Sequence, residues 1–453
     1  MSEKQLPQLF IEQIKTLFPD DYTAFLDAVS LLPAVSIRLK KGVSTDVDDI
    51  VPWCKSGRYL SGRPQFTLDP LFHAGNYYVQ EASSMFLLFA LEKYASSDAL
   101  VLDLCAAPGG KSTLISDFLN KDGFLISNEY VPQRANILAE NILKWGNPNC
   151  AVTNASSQQF AKLKGVFDVV VVDAPCSGEG MFRKDDVAID EWSLDNVHKC
   201  VDRQREILSN AWQCLAENGI LIYSTCTFND LENERNVEWL INEFDGEYLP
   251  LNPDDSWGVT VTDFGCRFLP HKVRGEGFFI SVVRKKSECS TLNIKSIKQL
   301  PPSCKNALEW IYNPDRYKTI VENNVVYAVD KDYYPLVTNM MSGNFKFLSF
   351  GVPVATVITG KSSSLIPHHA LALSEELKRD AFPIVNVDYK TAFAFLRRGA
   401  IVLQGVEKGF VCVAFNNVPL GFVKNVGNRC NNLYPEYWRI RMNVTDTEYK
   451  SII

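Results

Sequence analysis

Five histidines in 453 residues is a small number, and no apolar run in the chain is long enough to cross a membrane. No membrane partner is therefore expected. The 12 cysteines include no Cys-x-x-Cys pair and no Cys/His cluster with zinc spacing, so no metal site is expected. Their irregular spacing fits reduced thiols of a cytoplasmic enzyme better than a disulfide framework. Met1 to Phe10 has neither a basic segment nor an apolar one of the kind that directs export. Internal repeats and low-complexity tracts are also missing.

What is present is globular: 46% of the residues are hydrophobic and 22% charged. The net charge of −7 argues weakly against a nucleic-acid partner, but its distribution changes that reading. Residues 291–453 carry 19 Lys and Arg against 13 Asp and Glu, so a basic region follows an acidic body.

Residues 1–75 read as a small lead segment, helical over Leu6–Val29 with a short basic strand at Ser36–Lys41. From about residue 76 to 288 helices and strands alternate. Strands are expected at Leu100–Leu104, Phe124–Ser127, Ala151–Thr153, Phe167–Asp173 and Ile220–Tyr223. Helices are expected at Ser84–Tyr94, Lys111–Leu119, Pro132–Trp145 and around Asn196–Ala216. Such alternation predicts an α/β domain built on a mostly parallel, doubly wound sheet, with Gly277–Val283 closing it at one edge. A polar linker is expected over 289–303, ending in Pro301-Pro302, followed by a β-rich region over 304–453.

Two cysteine motifs stand at the ends of apolar strands: Asp173-Ala174-Pro175-Cys176 after Val169–Val172, and Ser224-Thr225-Cys226-Thr227 after Ile220–Tyr223. In an open α/β sheet both thiols would face the ligand cleft, where they suit covalent chemistry on an electrophile. The residues alone do not say which thiol attacks. Cys54, Cys150, Cys200 and Cys412 read instead as buried structural cysteines. Asp103-Leu104-Cys105-Ala106-Ala107-Pro108-Gly109-Gly110-Lys111-Ser112 joins a strand to a helix. Its small residues let the backbone approach a ligand, and the helix start offers free N–H groups. Cys105 stands where a P-loop needs glycine, and the glycines lack the dinucleotide spacing. Glu129, at the tip of the second strand, is placed to accept the hydroxyls of a ribose. Arg134 lies five residues on and reads either as a cofactor contact or as helix surface. Together the loop and the acid describe an S-adenosylmethionine site as well as any other.

Asp103–Ser112, Asp173–Gly180 and Ser224–Thr227 resemble the motifs of the Nop/Sun class of RNA (cytosine-5) methyltransferases. The likeness extends to Ala74–Met85, Gly421–Asn425 and Asn431–Pro435, as in bacterial RsmF-type enzymes that modify 16S ribosomal RNA. The resemblance implies a Rossmann-like, seven-stranded methyltransferase core using S-adenosylmethionine, a small N-terminal α+β segment that contacts RNA, and a C-terminal PUA-like RNA-binding domain. It implies that Cys226 is the nucleophile toward cytosine carbon 6 and that Cys176 assists product release. Asp173 would meet the cytosine edge or the methionine part of the cofactor. The cofactor would lie against Cys105, Ala106, Ala107, Pro108, Gly109, Gly110, Lys111, Glu129, Arg134 and Asp173. Lys111 would favour a thiolate or cap the loop. Relatives often carry Asp after the third strand. Here Asn154-Ala155-Ser156-Ser157 stands there, making Ser156 or a backbone carbonyl the expected adenine contact. The implied partner is 16S ribosomal RNA within a small subunit or an assembly intermediate, bound by a monomer. A tRNA substrate, or a non-catalytic ribosome-assembly factor, are the alternatives. RNA contacts are expected from Arg38, Lys40, Lys41, Arg58 and Arg63 upstream and from Arg397, Arg398, Lys424, Arg429 and Arg439 downstream. Arg183-Lys184 has the best position for the substrate backbone.

Overall fold

The computed structural model describes residues 6–288, 302, 304–358, 364–442 and 449–453. The expected linker at 289–303 lies outside the described residues except for Pro302. The centre is a ten-stranded mixed sheet. Its strands in chain order are β1 (Leu100–Asp103), β2 (Phe124–Asn128), β3 (Cys150–Thr153), β4 (Phe167–Asp173), β5 (Leu215–Thr225), β6 (Gly246–Tyr248), β7 (Thr260–Thr262), β8 (Gly265–Phe268), β9 (Phe278–Lys285) and β10 (Phe347–Phe350). They lie side by side as β7-β8-β9-β5-β4-β1-β2-β3-β10, with β6 also beside β9. The five strands from β3 to β5 are parallel. Strand order reverses between β1 and β4, which opens a crevice at their carboxyl ends.

Side-chain alternation explains why both sheet faces are buried. Val101, Val169, Val171, Ile220 and Ile222 enter the core on one face, and Leu102, Val170, Val172, Leu221 and Tyr223 the core on the other. Continuous β-branched runs such as Val169–Val172 suit a strand covered on both sides. The connecting helices are α1 (Gly110–Phe118), α2 (Pro132–Trp145), α3 (Leu194–Cys214) and α4 (Glu234–Phe244). Pro132 opens α2 at a position whose N–H has no helical partner, and Gly146 ends it with φ +79°.

The sheet departs from expectation at both margins. β9 lies inside it, because the hairpin of β7 and β8 covers the margin that Gly277–Val283 was expected to form. At the other margin, β10 pairs antiparallel with β3, so residues beyond 304 complete the central sheet and raise it beyond seven strands. The lead segment holds two helices, Gln8–Leu17 and Tyr22–Val29, and a four-stranded sheet that includes Cys54–Leu60 and Tyr77–Val79. After 304, one four-stranded sheet runs from Tyr317–Glu322 to Ser364–Pro367, and a second from Ile384–Asn386 to Cys430–Asn432. Among the described residues no helix is long and apolar enough to cross a membrane.

Candidate active site

The loop between β1 and α1 is held by its carbonyl groups. Arg134 Nη2 donates to Ala107 O at 2.9 Å, and Asn141 Nδ2 and Tyr78 Oη donate to Pro108 O at 2.8 and 3.2 Å. Ala106 N–H donates to Asn128 O at 2.8 Å. With the carbonyls engaged from behind, the first amides of α1 (Gly110, Lys111 and Ser112) have no partner within their own helix. Gly109 has φ +115°, a conformation that L side chains rarely adopt. Cys105 is partly buried, and burial with the nearby carboxylates of Asp103, Glu129 and Asp173 pushes its thiol pKa up.

Two acids flank this loop. Asp103 is fully buried at the end of β1, where burial pushes its pKa up to about 7. Its Oδ2 accepts from Ser112 Oγ at 2.6 Å, while Oδ1 has no partner among the described residues. Glu129 follows β2, and its Oε1 accepts from Val131 N–H at 2.8 Å while Oε2 lies 3.6 Å from Arg134 Nη1. An orphaned buried carboxylate oxygen, a row of helix-start amides and a strand-end acid fit the ammonium, carboxylate and ribose hydroxyls of S-adenosylmethionine. Arg134 thus touches both the loop and Glu129.

The two thiols meet. β4 and β5 are adjacent and parallel, with Asp173 opposite Ser224 in register, so both cysteine loops leave the same sheet edge. Cys176 Sγ lies 3.1 Å from Cys226 Sγ. The thiol–thiol contact, burial and the nearby Glu232 carboxylate push the Cys176 pKa well above its ordinary value. Asp173 Oδ1 accepts from Ser224 Oγ at 2.8 Å, and its Oδ2 pairs with Lys111 Nζ at 2.9 Å. Burial alone would lower the Lys111 pKa, but the attraction of Asp173 outweighs it and the net shift is upward, so Lys111 stays cationic. That ammonium also lies 5.1 Å from the centre of the Phe278 ring. The crevice therefore joins the β1–α1 loop, through Lys111 and Asp173, to a pair of thiols.

Sequence reading missed two acids beneath the thiols. Glu179 and Glu232 are both fully buried and engage the loops bearing Cys226 and Cys176. The only sequence signal was an acid between two glycines, Gly178-Glu179-Gly180.

Two of the basic residues expected to contact RNA are buried. Arg38 is buried, donating to Gln80 Oε1, Thr113 Oγ1 and Asp117 Oδ2 at 2.8, 2.6 and 3.0 Å. Arg183 is buried too, donating to the carbonyls of Leu31, Leu32 and Gly275 at 3.0, 3.2 and 2.5 Å. Lys184 pairs with Glu276 at 2.6 Å, and Lys40 with Glu375 at 3.3 Å. Arg58 donates to its own neighbours' carbonyls, Lys55 and Gly57. Lys41 and Arg63 are exposed, as are Arg397, Arg398, Lys424, Arg429 and Arg439. Ser156 begins the short helix Ser157–Phe160, with its N–H donating to Gln159 Oε1 at 3.1 Å. Asn154 Nδ2 donates to the carbonyls of Glu129 and Tyr130.

Family models match three stretches. They are described as the 16S rRNA methyltransferase RsmB/F (residues 90–284), the N-terminal domain of 16S rRNA methyltransferase RsmF (6–82) and the methyltransferase RsmF PUA domain (382–440). The ribosomal RNA small subunit methyltransferase F of Shewanella baltica is 30% identical over 95% of this chain and 96% of its own length. The protein of that name from Aliivibrio salmonicida is 30% identical over 85% of each. Among solved structures, a methyltransferase homolog protein from Pyrococcus horikoshii is 27% identical with a TM-score of 0.54, covering 62% of this chain and 95% of its own. NSun6 from Pyrococcus horikoshii with SFG shares the fold at 19% identity and a TM-score of 0.52, over 63% of this chain and 100% of its own. The chain belongs to the 16S rRNA methyltransferase RsmB/F family of S-adenosylmethionine-dependent methyltransferases and carries that family's RsmF N-terminal and PUA domains.

Proposed function

We propose that this protein methylates carbon 5 of a cytosine in 16S ribosomal RNA, through a covalent bond between Cys226 and carbon 6. The observation that carries the reading is the 3.1 Å approach of two thiols from separate strands, beside a cofactor loop. Carbon 5 of cytosine is a weak nucleophile until the aromaticity of the ring is broken. Addition of the Cys226 thiolate at carbon 6 moves the carbon 5–carbon 6 electron pair onto carbon 5. S-adenosylmethionine, when bound, supplies the electrophilic methyl group that carbon 5 takes. A water positioned beside Cys176 takes the carbon 5 proton, the electron pair of that C–H bond re-forms the ring double bond, and Cys226 leaves carbon 6 as a thiolate. Cys176, held as a thiol by its surroundings, serves this release step. Asp173 meets the N3/N4 edge of the base, where charge develops, and Lys111 supplies positive charge beside the thiols.

The target base leaves its stack to reach the crevice. The exposed Arg397, Arg398, Lys424, Arg429 and Arg439 of the PUA-bearing region hold the flanking phosphates. The protein acts as a cytoplasmic monomer on the small subunit or an assembly intermediate.

Transfer of labelled methyl groups to purified small subunits, naked 16S RNA and a tRNA pool tests the substrate, with bisulfite sequencing locating the cytosine. Label in 16S RNA as 5-methylcytosine is expected. Label confined to tRNA, or no transfer to any RNA, would overturn the proposal.

A further inference from the structure

The two acids beneath the thiols form a crossed pair. Glu179 belongs to the Cys176 loop, yet its Oε2 accepts from the backbone N–H groups of Phe228 and Asn229 at 2.8 and 3.0 Å, just past Cys226. Glu232 follows the Cys226 loop. Its Oε2 accepts from Ser177 N–H at 3.0 Å, and its Oε1 accepts from Ser177 Oγ at 2.5 Å, next to Cys176. Each loop therefore supplies the carboxylate that fixes the other. Asn229 Nδ2 bridges them, at 3.2 Å from Glu179 Oε1 and 2.7 Å from Glu232 Oε1. Ser177 Oγ and Thr227 Oγ1 are 2.9 Å apart, and Gly180 N–H donates to Cys226 O at 2.9 Å.

Both carboxylates are fully buried, and among the described residues neither has an ion-pair partner. A buried carboxylate without a cation is costly and persists only where N–H and O–H donors surround it. The remaining donors come from other elements. Gln13 Nε2 and Trp192 Nε1 reach Glu179 at 2.9 and 3.1 Å, and Gln204 Nε2 reaches Glu232 at 2.7 Å. The first of these ties the lead helix Gln8–Leu17 to the Cys176 loop. A Cβ on Gly180 would lie 2.9 Å from both Cys226 O and Gly277 O, so the loops have no room to slide past each other.

We propose that Glu179 and Glu232 are positioning residues: a reciprocal carboxylate clamp that sets the sulfur–sulfur approach and fixes the register of the two thiols. The catalytic consequence rests on the proposed cytosine chemistry, but the geometric claim does not. The amide form of either side chain keeps its size and one acceptor oxygen but replaces the other with an NH2 donor, which must face groups such as Asn229 Nδ2 that themselves donate, so Glu232→Gln and Glu179→Gln break the clamp selectively.

The test uses the full chain and reads the thiols directly. Hydrogen peroxide converts two adjacent thiols to one disulfide, taking two electrons and two protons and becoming two waters. The first oxidation gives a sulfenic acid on one sulfur and the second thiol then condenses with it, so at peroxide concentrations where the first step is fast the closing rate reports how often the sulfurs meet. It is followed as the loss of two hydrogens by mass spectrometry, with Cys176→Ser as the blank. S-adenosylmethionine titration confirms that the cofactor site is intact. Glu232→Gln is expected to slow closure by roughly tenfold or more with unchanged cofactor affinity. Methyl transfer should fall by about 100-fold in kcat with KM for RNA little changed, as expected for a displacement of about 1 Å at the reacting groups. Ser177→Ala removes one hydroxyl donor from Glu232, and decides the matter if the carboxamide variants do not fold. It should slow closure by a few-fold. Wild-type closure rates in folded Glu232→Gln or in Ser177→Ala would overturn the clamp. Slowed closure in an enzyme that methylates no RNA would uphold the clamp and remove the proposed reaction instead.

Discussion

The β1–α1 loop (the proposed cofactor loop) and the thiol loops are fixed by opposite halves of the peptide group. In the first, Arg134, Asn141 and Tyr78 donate to the carbonyls of Ala107 and Pro108, and the helix-start amides are left for a ligand. In the second, Glu179 and Glu232 accept from the amides of Ser177, Phe228 and Asn229, and the sulfurs are left for chemistry. A site that must present N–H groups is held by donors, and one that must present a nucleophile is held by acceptors. The difference teaches how to look for support beneath each kind of site: cations and amides under an anion-binding loop, buried acids under paired nucleophiles.

The comparison makes quantitative claims. The largest effect falls on the thiol side, where Cys226→Ala should reduce methyl transfer to background, a loss of about 10⁴-fold or more, while S-adenosylmethionine titration stays near wild type. If the two halves are independent, Glu129→Ala should do the reverse. It should weaken cofactor binding by about tenfold to 100-fold, measured by calorimetry, and leave peroxide-driven closure of the Cys176–Cys226 pair unchanged. A slower closure in that variant would break the division.

Stability sharpens it next. Buried Arg38 pairs with the half-buried Asp117 of α1, so Arg38→Met should cost about 3 kcal/mol in denaturant unfolding, whereas Arg429→Ala on the exposed surface should cost less than about 0.5 kcal/mol. A pH slope follows from the same half of the site. Asp103 is raised in the folded protein to about 7, above its unfolded value, so its contribution is fully present below about pH 4. That contribution is lost as pH rises toward 7, because the folded state must then surrender a proton the unfolded chain has already lost. Thermal melts should show wild type losing stability relative to Asp103→Asn across that window, and parallel curves would contradict the assignment.

Much of the scaffold could be read directly. The β-branched run Val169–Val172 and the apolar Ile220–Tyr223 placed both cysteine motifs at strand tips, and Pro132 marked the start of α2 where the structure has it. Misreadings came where a residue's surroundings arrive from far along the chain. Arg38 and Arg183 look like surface charges until Asp117 and Thr113, or the carbonyls of Leu31, Leu32 and Gly275, close around them. Glu179 and Glu232 went unread for the same reason, their backbone donors lying some fifty residues away in sequence. The pairing of Phe347–Phe350 with β3 was equally hidden, since nothing local tells a short strand which sheet it joins.

The division of labour between the two thiols has a direct measurement. Incubate Cys176→Ala with S-adenosylmethionine and small-subunit RNA, and resolve the products on a denaturing gel. The account predicts an RNA–protein adduct that survives denaturation in Cys176→Ala and is missing from Cys226→Ala and from the double variant. A stable adduct formed by Cys226→Ala instead would reverse the two roles and contradict the account.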